Sequence, residues 1–189
     1  MKILFPVALS ILLVWGCKNN STPEKETTSP SSAANEKIIP YFDFDEAAYY
    51  YYADDATKSI DSLQANEHSS VADSLKTAVL LKNTPTTLAD TSFIATLEKT
   101  GYQKKNIHTS YLKEIAVIFS QKPNYGSVKA NCPVVVYQHI LIFRKEGHIT
   151  GIARINFRCT QQQIIGTAVK TDYFGQNGDY ERLEEMLEK

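Results

Sequence analysis

The chain is 189 residues long, 43% hydrophobic and 22% charged, with 8 Gly and 7 Pro, which excludes a collagen-like or wholly disordered polymer and leaves room for one packed core. The 20 Lys plus Arg stand against 21 Asp plus Glu, a formal charge of -1, so there is no broad basic field to attract nucleic acid. DNA and RNA are not expected partners.

Residues 1 to 17 run from Met-Lys through an almost unbroken apolar stretch to Val14-Trp15-Gly16-Cys17. One positive charge, an apolar run and a small residue are the grammar of an export signal. Ile3 to Gly16 is 14 residues, short of the roughly 20 that a helix needs to cross a bilayer core. Val14-Trp15-Gly16-Cys17 resembles the lipobox of bacterial lipoprotein precursors. That resemblance implies a signal peptide over 1–16, cleavage before Cys17, and lipid on Cys17. Plain secretion and a retained anchor are the other fates such a segment allows. Two or more acyl chains would hold the product stably, since each buried methylene contributes about 0.8 kcal/mol. Lys18, where inner-membrane lipoproteins carry Asp, implies by the same resemblance a cell-envelope location at the outer membrane. The membrane is then a partner only through the lipid anchor.

The 19 residues from Lys18 to Glu36 carry no large apolar side chain and cannot fold alone. Together with the lipidated cysteine they read as a tether over 17–36, with a coil span of roughly 25 Å. The single globular domain is expected over 37–189.

Within it, Ile38 to Tyr52 is rich in aromatics and suits strand better than helix, either as two strands or as one strand leading into a helix. The Tyr49 to Tyr52 run reads as half core and half outer sheet face, with a stacking platform as the functional alternative. Val71 to Leu81 has helical spacing, with a short strand as the competing reading. Asp90 to Gly101 is punctuated as a helix by an acidic N-cap and a glycine stop. Thr109 or Ser110 caps another, in which Tyr111, Leu112, Ile115, Ile118 and Phe119 fall at three- and four-residue spacings, and Pro123 is expected to end it.

Val134 to Arg144 and Ile149 to Cys159 flank Glu146-Gly147 and read as a β-hairpin. With Lys145 facing His148, Val134, Val136, Ile140 and Ile142 share the core face with Gly151, Ala153, Ile155, Phe157 and Cys159. Tyr137, His139, Arg154, Asn156 and Arg158 then gather on the opposite face, a candidate patch for a carboxylate, a phosphate or an acidic protein loop, or simply the solvent side of the sheet. With Cys17 acylated, Cys132 and Cys159 remain as an even pair, so a disulfide is expected between them. The register sets them diagonally, so the bond needs a bulge beside Pro133. Gln163 to Lys170 reads as a further strand, and Asp179 opens a closing helix with Leu183, Met186 and Leu187 inward. The expected fold class is α+β, an antiparallel sheet of about 4–5 strands with helices on one face.

The four histidines, His68, His108, His139 and His148, have no zinc spacing, and no phosphate loop, nucleophile elbow or dinucleotide fingerprint occurs. No metal, cofactor or catalytic residue is assigned. The Gly175-to-Asp179 turn reads as a helix cap, with an anion at its amides as the alternative. The acids Asp43, Asp45, Glu46, Asp54 and Asp55 read as edge and cap positions, with Ca²⁺ or acid-base work as the alternative. The functional expectation is a non-enzymatic binding or accessory module of the cell envelope, with a protein or anionic ligand as partner. An immunity or inhibitor protein against a toxin, lysozyme or protease is the second reading, and a hydrolase using acids or His139 is the third.

Overall fold

A computed structural model describes residues 38–65, 70–81, 84–90, 92–123, 132 and 134–189. The expected signal peptide, lipidated cysteine and tether lie outside the described residues, as do His68 and Pro133. Residues Lys37–Lys189 form one compact unit. No helix among the described residues is long and apolar enough to cross a membrane.

The chain runs β1 (Glu46–Tyr52), α1 (Ala56–Ala65), α2 (Val71–Leu80), α3 (Ser92–Leu97), β2 (Tyr102–Asn106), α4 (Leu112–Ile118), β3 (His139–Lys145), β4 (His148–Asn156), β5 (Gln161–Ile165) and α5 (Asp179–Glu188). The five strands form one antiparallel sheet in the order β2-β1-β3-β4-β5. The α+β class and the strand number agree with the sequence reading.

The helices, however, cover both faces. Ala47, Tyr49, Leu141, Phe143, Ala153 and Ile155 pack on one side with Ile115 and Ile118 of α4 and Leu183 and Leu187 of α5. Ala48, Tyr50, Tyr52, Ile140, Ile142 and Ile152 pack on the other with Ile60 of α1, Val79 and Leu80 of α2, and Phe93 and Leu97 of α3. A strand covered on both faces has no polar alternation to keep, which is why β1 reads Ala-Ala-Tyr-Tyr-Tyr-Tyr over 47–52. The tyrosines therefore divide between two cores, and neither half makes an outer platform. Tyr49, Tyr51 and Tyr52 each place the hydroxyl on a side-chain partner: His139, Gln103 and Ser59 respectively.

Local chemistry accounts for the helix starts. Ser70 and Asp73 form a reciprocal capping box at α2, with Asp73 N donating to Ser70 Oγ at 3.1 Å and Ser70 N to Asp73 Oδ2 at 3.1 Å. Asp55 Oδ1 accepts from Lys58 N at 3.2 Å where α1 begins. The turn before α4 is capped by His108, whose Nδ1 accepts from Ser110 N at 3.2 Å, so the cap expected at Thr109 or Ser110 falls one residue earlier. That helix ends at Ile118, before Pro123: Ser120 pairs with Pro40 in an isolated bridge, drawing the chain out of the helix. At α5 the cap is Gly178 and Asp179 is buried as the first helical residue, its carboxylate taking Lys122 Nζ at 3.2 Å and Arg182 Nη2 at 2.5 Å. That turn is thereby supplied with its own anion.

The hairpin turn at Glu146 and Gly147 has φ of 50° and 78°, the left-handed pair that a tight two-residue connection requires. Glu146 N donates to Asp45 Oδ2 at 3.2 Å and Lys145 Nζ lies 3.5 Å from Asp43 Oδ1, so these two acids brace the turn. Lys145 pairs with His148 as expected, and Arg144 with Ile149. The register then shifts, and Phe143 pairs with Gly151. Thr150 is the extra residue of a bulge, and one extra residue exchanges the two faces beyond it.

The face assignment from sequence is corrected accordingly. Ile140 and Ile142 lie with Ile152 and Arg154, while Gly151, Ala153, Ile155 and Phe157 lie with His139, Leu141 and Phe143. Val134 and Val136 precede β3 outside the strand, the first exposed and the second buried. The bulge brings Gly151 under Phe42, whose ring stacks on Phe143 at a centroid separation of 4.7 Å. A Cβ on Gly151 would stand 2.3 Å from the Phe42 ring. Gly151→Ala is expected to lower stability by about 2 kcal/mol through overpacking, read as a lower urea midpoint at unchanged slope; an unchanged midpoint would show that Phe42 is not held there.

Candidate binding groove

Of the five residues expected to form a patch, the structure keeps one at an open surface. Arg154 is 0% exposed. Its Nη1 donates to Gln163 Oε1 at 2.6 Å, its Nη2 donates to the Val79 carbonyl, and its guanidinium carbon lies 4.5 Å from the Tyr137 ring centroid. Val79 belongs to the last turn of α2, where the carbonyls carry partial negative charge, so Arg154 acts as a buried cationic cap. Burial brings its pKa down to about 10, which leaves it charged at neutral pH.

Tyr137 is buried between this guanidinium and the end of α2, with its N donating to the Leu80 carbonyl at 2.9 Å. Asn156 is buried as well: its Nδ2 donates to the Val136 carbonyl at 2.6 Å and its Oδ1 accepts from Cys159 N at 2.8 Å. By holding both segments, Asn156 sets Cys132 and Cys159 together at a Cα separation of 5.4 Å, and the expected disulfide is present. Cys159 lies in the turn that follows β4, so it is not bound to the diagonal strand position expected for it. The chain-entropy model gives this cross-link about 3.5 kcal/mol.

His139 lies on the other face of the sheet. Its Nδ1 meets the Tyr49 hydroxyl at 2.7 Å and its ring packs edge-on to Phe157 at 4.6 Å. Burial pushes its pKa down to about 4, so the ring is neutral at pH 7.

Arg158, the remaining member, is exposed at the rim of a groove of about 610 Å³. The groove runs between α1, residues 134–138 and the turn after β4. Ile60, Leu81, Val134, Val136 and the disulfide make it largely apolar, while Asp55, Asp61, Gln138, Asn156 and Arg158 supply polar atoms. Val134 keeps 61% of its surface in water. Asp55 is engaged with the start of α1 and lies 3.6 Å from Lys58 Nζ. The side chains of Asp61 and Arg158 form no hydrogen bond or ion pair with any described residue.

Sequence reading did not anticipate Ile60, Asp61, Leu81, Val134 as a lining residue, or Gln138. The expected hairpin and the pairing of Cys132 with Cys159 both signalled that residues near 134 and 158 would be neighbours. A second cavity, of about 260 Å³, lies by β2 and the end of α5, where Lys105 Nζ donates to the Leu187 carbonyl at 3.0 Å. Its ammonium thus caps a helix. No group of three or more His, Cys, Asp or Glu among the described residues is arranged to hold a metal ion. Comparison with protein-family models, with curated proteins and with solved structures finds no match for this chain.

The burial of neutral His139 makes stability depend on pH. Its folded pKa is below the unfolded value, so between about 6.5 and 4 the unfolded chain binds the proton preferentially. Stability is complete above that window, falls as pH drops through it, and levels off below. Urea unfolding at pH 7 and pH 5 is expected to show a loss on the order of 1–2 kcal/mol, largely abolished in His139→Gln; an equal loss in that variant would place the dependence elsewhere.

Proposed function

We propose that this chain is a lipid-anchored lipoprotein of the bacterial cell envelope, located at the outer membrane, whose globular domain is a non-enzymatic binding or accessory module. The anchor part of the reading is supported by the apolar run ending in Val14-Trp15-Gly16-Cys17 and by the polar stretch that follows it. The module part is supported by one observation above the others: an open groove with an apolar floor and two opposite charges that take no partner among the described residues. Concave, mostly apolar surfaces with a few polar groups are where ligands bind.

The hydrolase reading loses its candidate base. His139 has a phenol for its partner, and it does not line the groove. A general base needs reach to a substrate proton, and the ring is packed between Tyr49 and Phe157.

Two measurements test the two parts. Radiolabelled palmitate is expected to enter the wild-type product and not Cys17→Ser, with globomycin retarding processing of the wild type; label in neither protein would remove the anchor. From detergent-solubilised envelope, the wild type is expected to retain a partner that Val134→Arg retains at least tenfold less, because the new charge enters the groove while the exposed position spares the core. Equal retention by both would show that the groove is not the binding surface.

A further inference from the structure

We propose that the groove beside the disulfide binds a short zwitterionic peptide, with its carboxylate on Arg158, its ammonium on Asp61 and its apolar side chains on the groove floor. The inference rests on the binding-module reading and names the ligand class of that same groove.

The charges carry the argument. Asp61 stands on α1 and Arg158 in the turn after β4, and both line the groove. They have opposite sign, yet they do not pair with each other or with any other described residue. By contrast, the neighbouring Asp55 is spent on the Lys58 amide and ammonium, and Asn156 uses both ends of its amide to hold the disulfide region. The Gln138 amide nitrogen reaches the Asp54 carbonyl at 3.5 Å, so the charged groups left to recognise a ligand are one carboxylate and one guanidinium, with the neutral Gln138 amide beside them. A lone anion is a poor fit, because two carboxylates share the groove with one guanidinium. A guanidinium fork matches a carboxylate with two parallel hydrogen bonds, and a carboxylate complements an ammonium.

The floor and the backbone select a peptide among zwitterions. Ile60, Val136 and Leu81 offer apolar surface in the same groove as the charges, and exposed Val134 adds to it. Residues 134–138 lie outside any strand, and the backbone groups of Val134 and the N–H of Val136 take no hydrogen bond among the described residues. An extended peptide supplies the donors and acceptors such a segment lacks. The volume suits an occupant of a few residues, at about 3.3 Å of extended chain each.

The test uses the full-length chain in detergent and a defined probe set: acetylated tetrapeptides with lysine first, Val, Leu or Phe at the next two places, and a free C-terminal carboxylate. Calorimetry is expected to show saturable binding by members of the set. Arg158→Gln should weaken it at least tenfold. Amidation of the peptide C-terminus should weaken wild-type binding by a similar factor and have no further effect on Arg158→Gln. Asp61→Asn and replacement of lysine by norleucine should behave as the matching pair. Both residues are exposed, and circular dichroism checks that the variants fold; the amidated and norleucine peptides probe the same contacts without any variant.

Binding by no member of the set, or equal binding by wild type and both variants, overturns the proposal. If no peptide binds while retention of an envelope partner still depends on Val134, the ligand class is wrong and the module reading stands. If neither peptide binding nor that dependence is seen, both fall.

Discussion

The contact between Phe42 and Gly151 governs how the rest of the domain is arranged. An aromatic ring lies where any Cβ on residue 151 would be, stacked on Phe143 in the neighbouring strand. For Phe143 and Gly151 to stand opposite each other, the hairpin must carry one more residue on β4 than on β3 between the turn and that pair, and Thr150 is that residue. A bulge of one residue moves every later side chain to the other face. The ring thus decides that Leu141, Ala153 and Ile155 face α4 and α5, and that Ile140, Ile152 and Arg154 face α1 to α3.

The same shift explains why a fully charged side chain sits in the second core. Arg154 is carried inward by its place in the register, and a helix-terminal carbonyl, a glutamine and a tyrosine ring offset part of the cost of burying it, while its Nε has no partner among the described residues. No described carboxylate pairs with it. Its position ties the end of α2 to β4 and β5, and through Tyr137 to the segment that forms one wall of the groove. Asn156, two residues on, draws the other wall in and brings the cysteines together. The groove is therefore the outer margin of a network that begins inside the sheet.

Much of the fold was legible locally. The helix starting at Asp179, the segment from Val71 and the helix after Asp90 carry periodic apolar positions, a pattern whose physics involves only near neighbours. β2 was not legible: Tyr-Gln-Lys-Lys-Asn over 102–106 has one buried residue, as suits an edge strand that gains its place by pairing with β1. The groove was legible at Arg158 and through the cysteines, and not at Asp61 or Ile60, which reach it only because α1 packs against a segment more than 70 residues later.

By itself, the sequence determined the α+β class, the turn at Glu146 and Gly147, the pairing of the two domain cysteines, and most helix positions, because propensity, turn chemistry and cysteine count act over short distances or by elimination. Tertiary structure alone decided which face each hairpin residue occupies, that helices lie on both sides of the sheet, and which charges remain at a surface. Those outcomes depend on a ring from residue 42 meeting a glycine at 151, and side-chain alternation within a strand carries no record of a contact that distant.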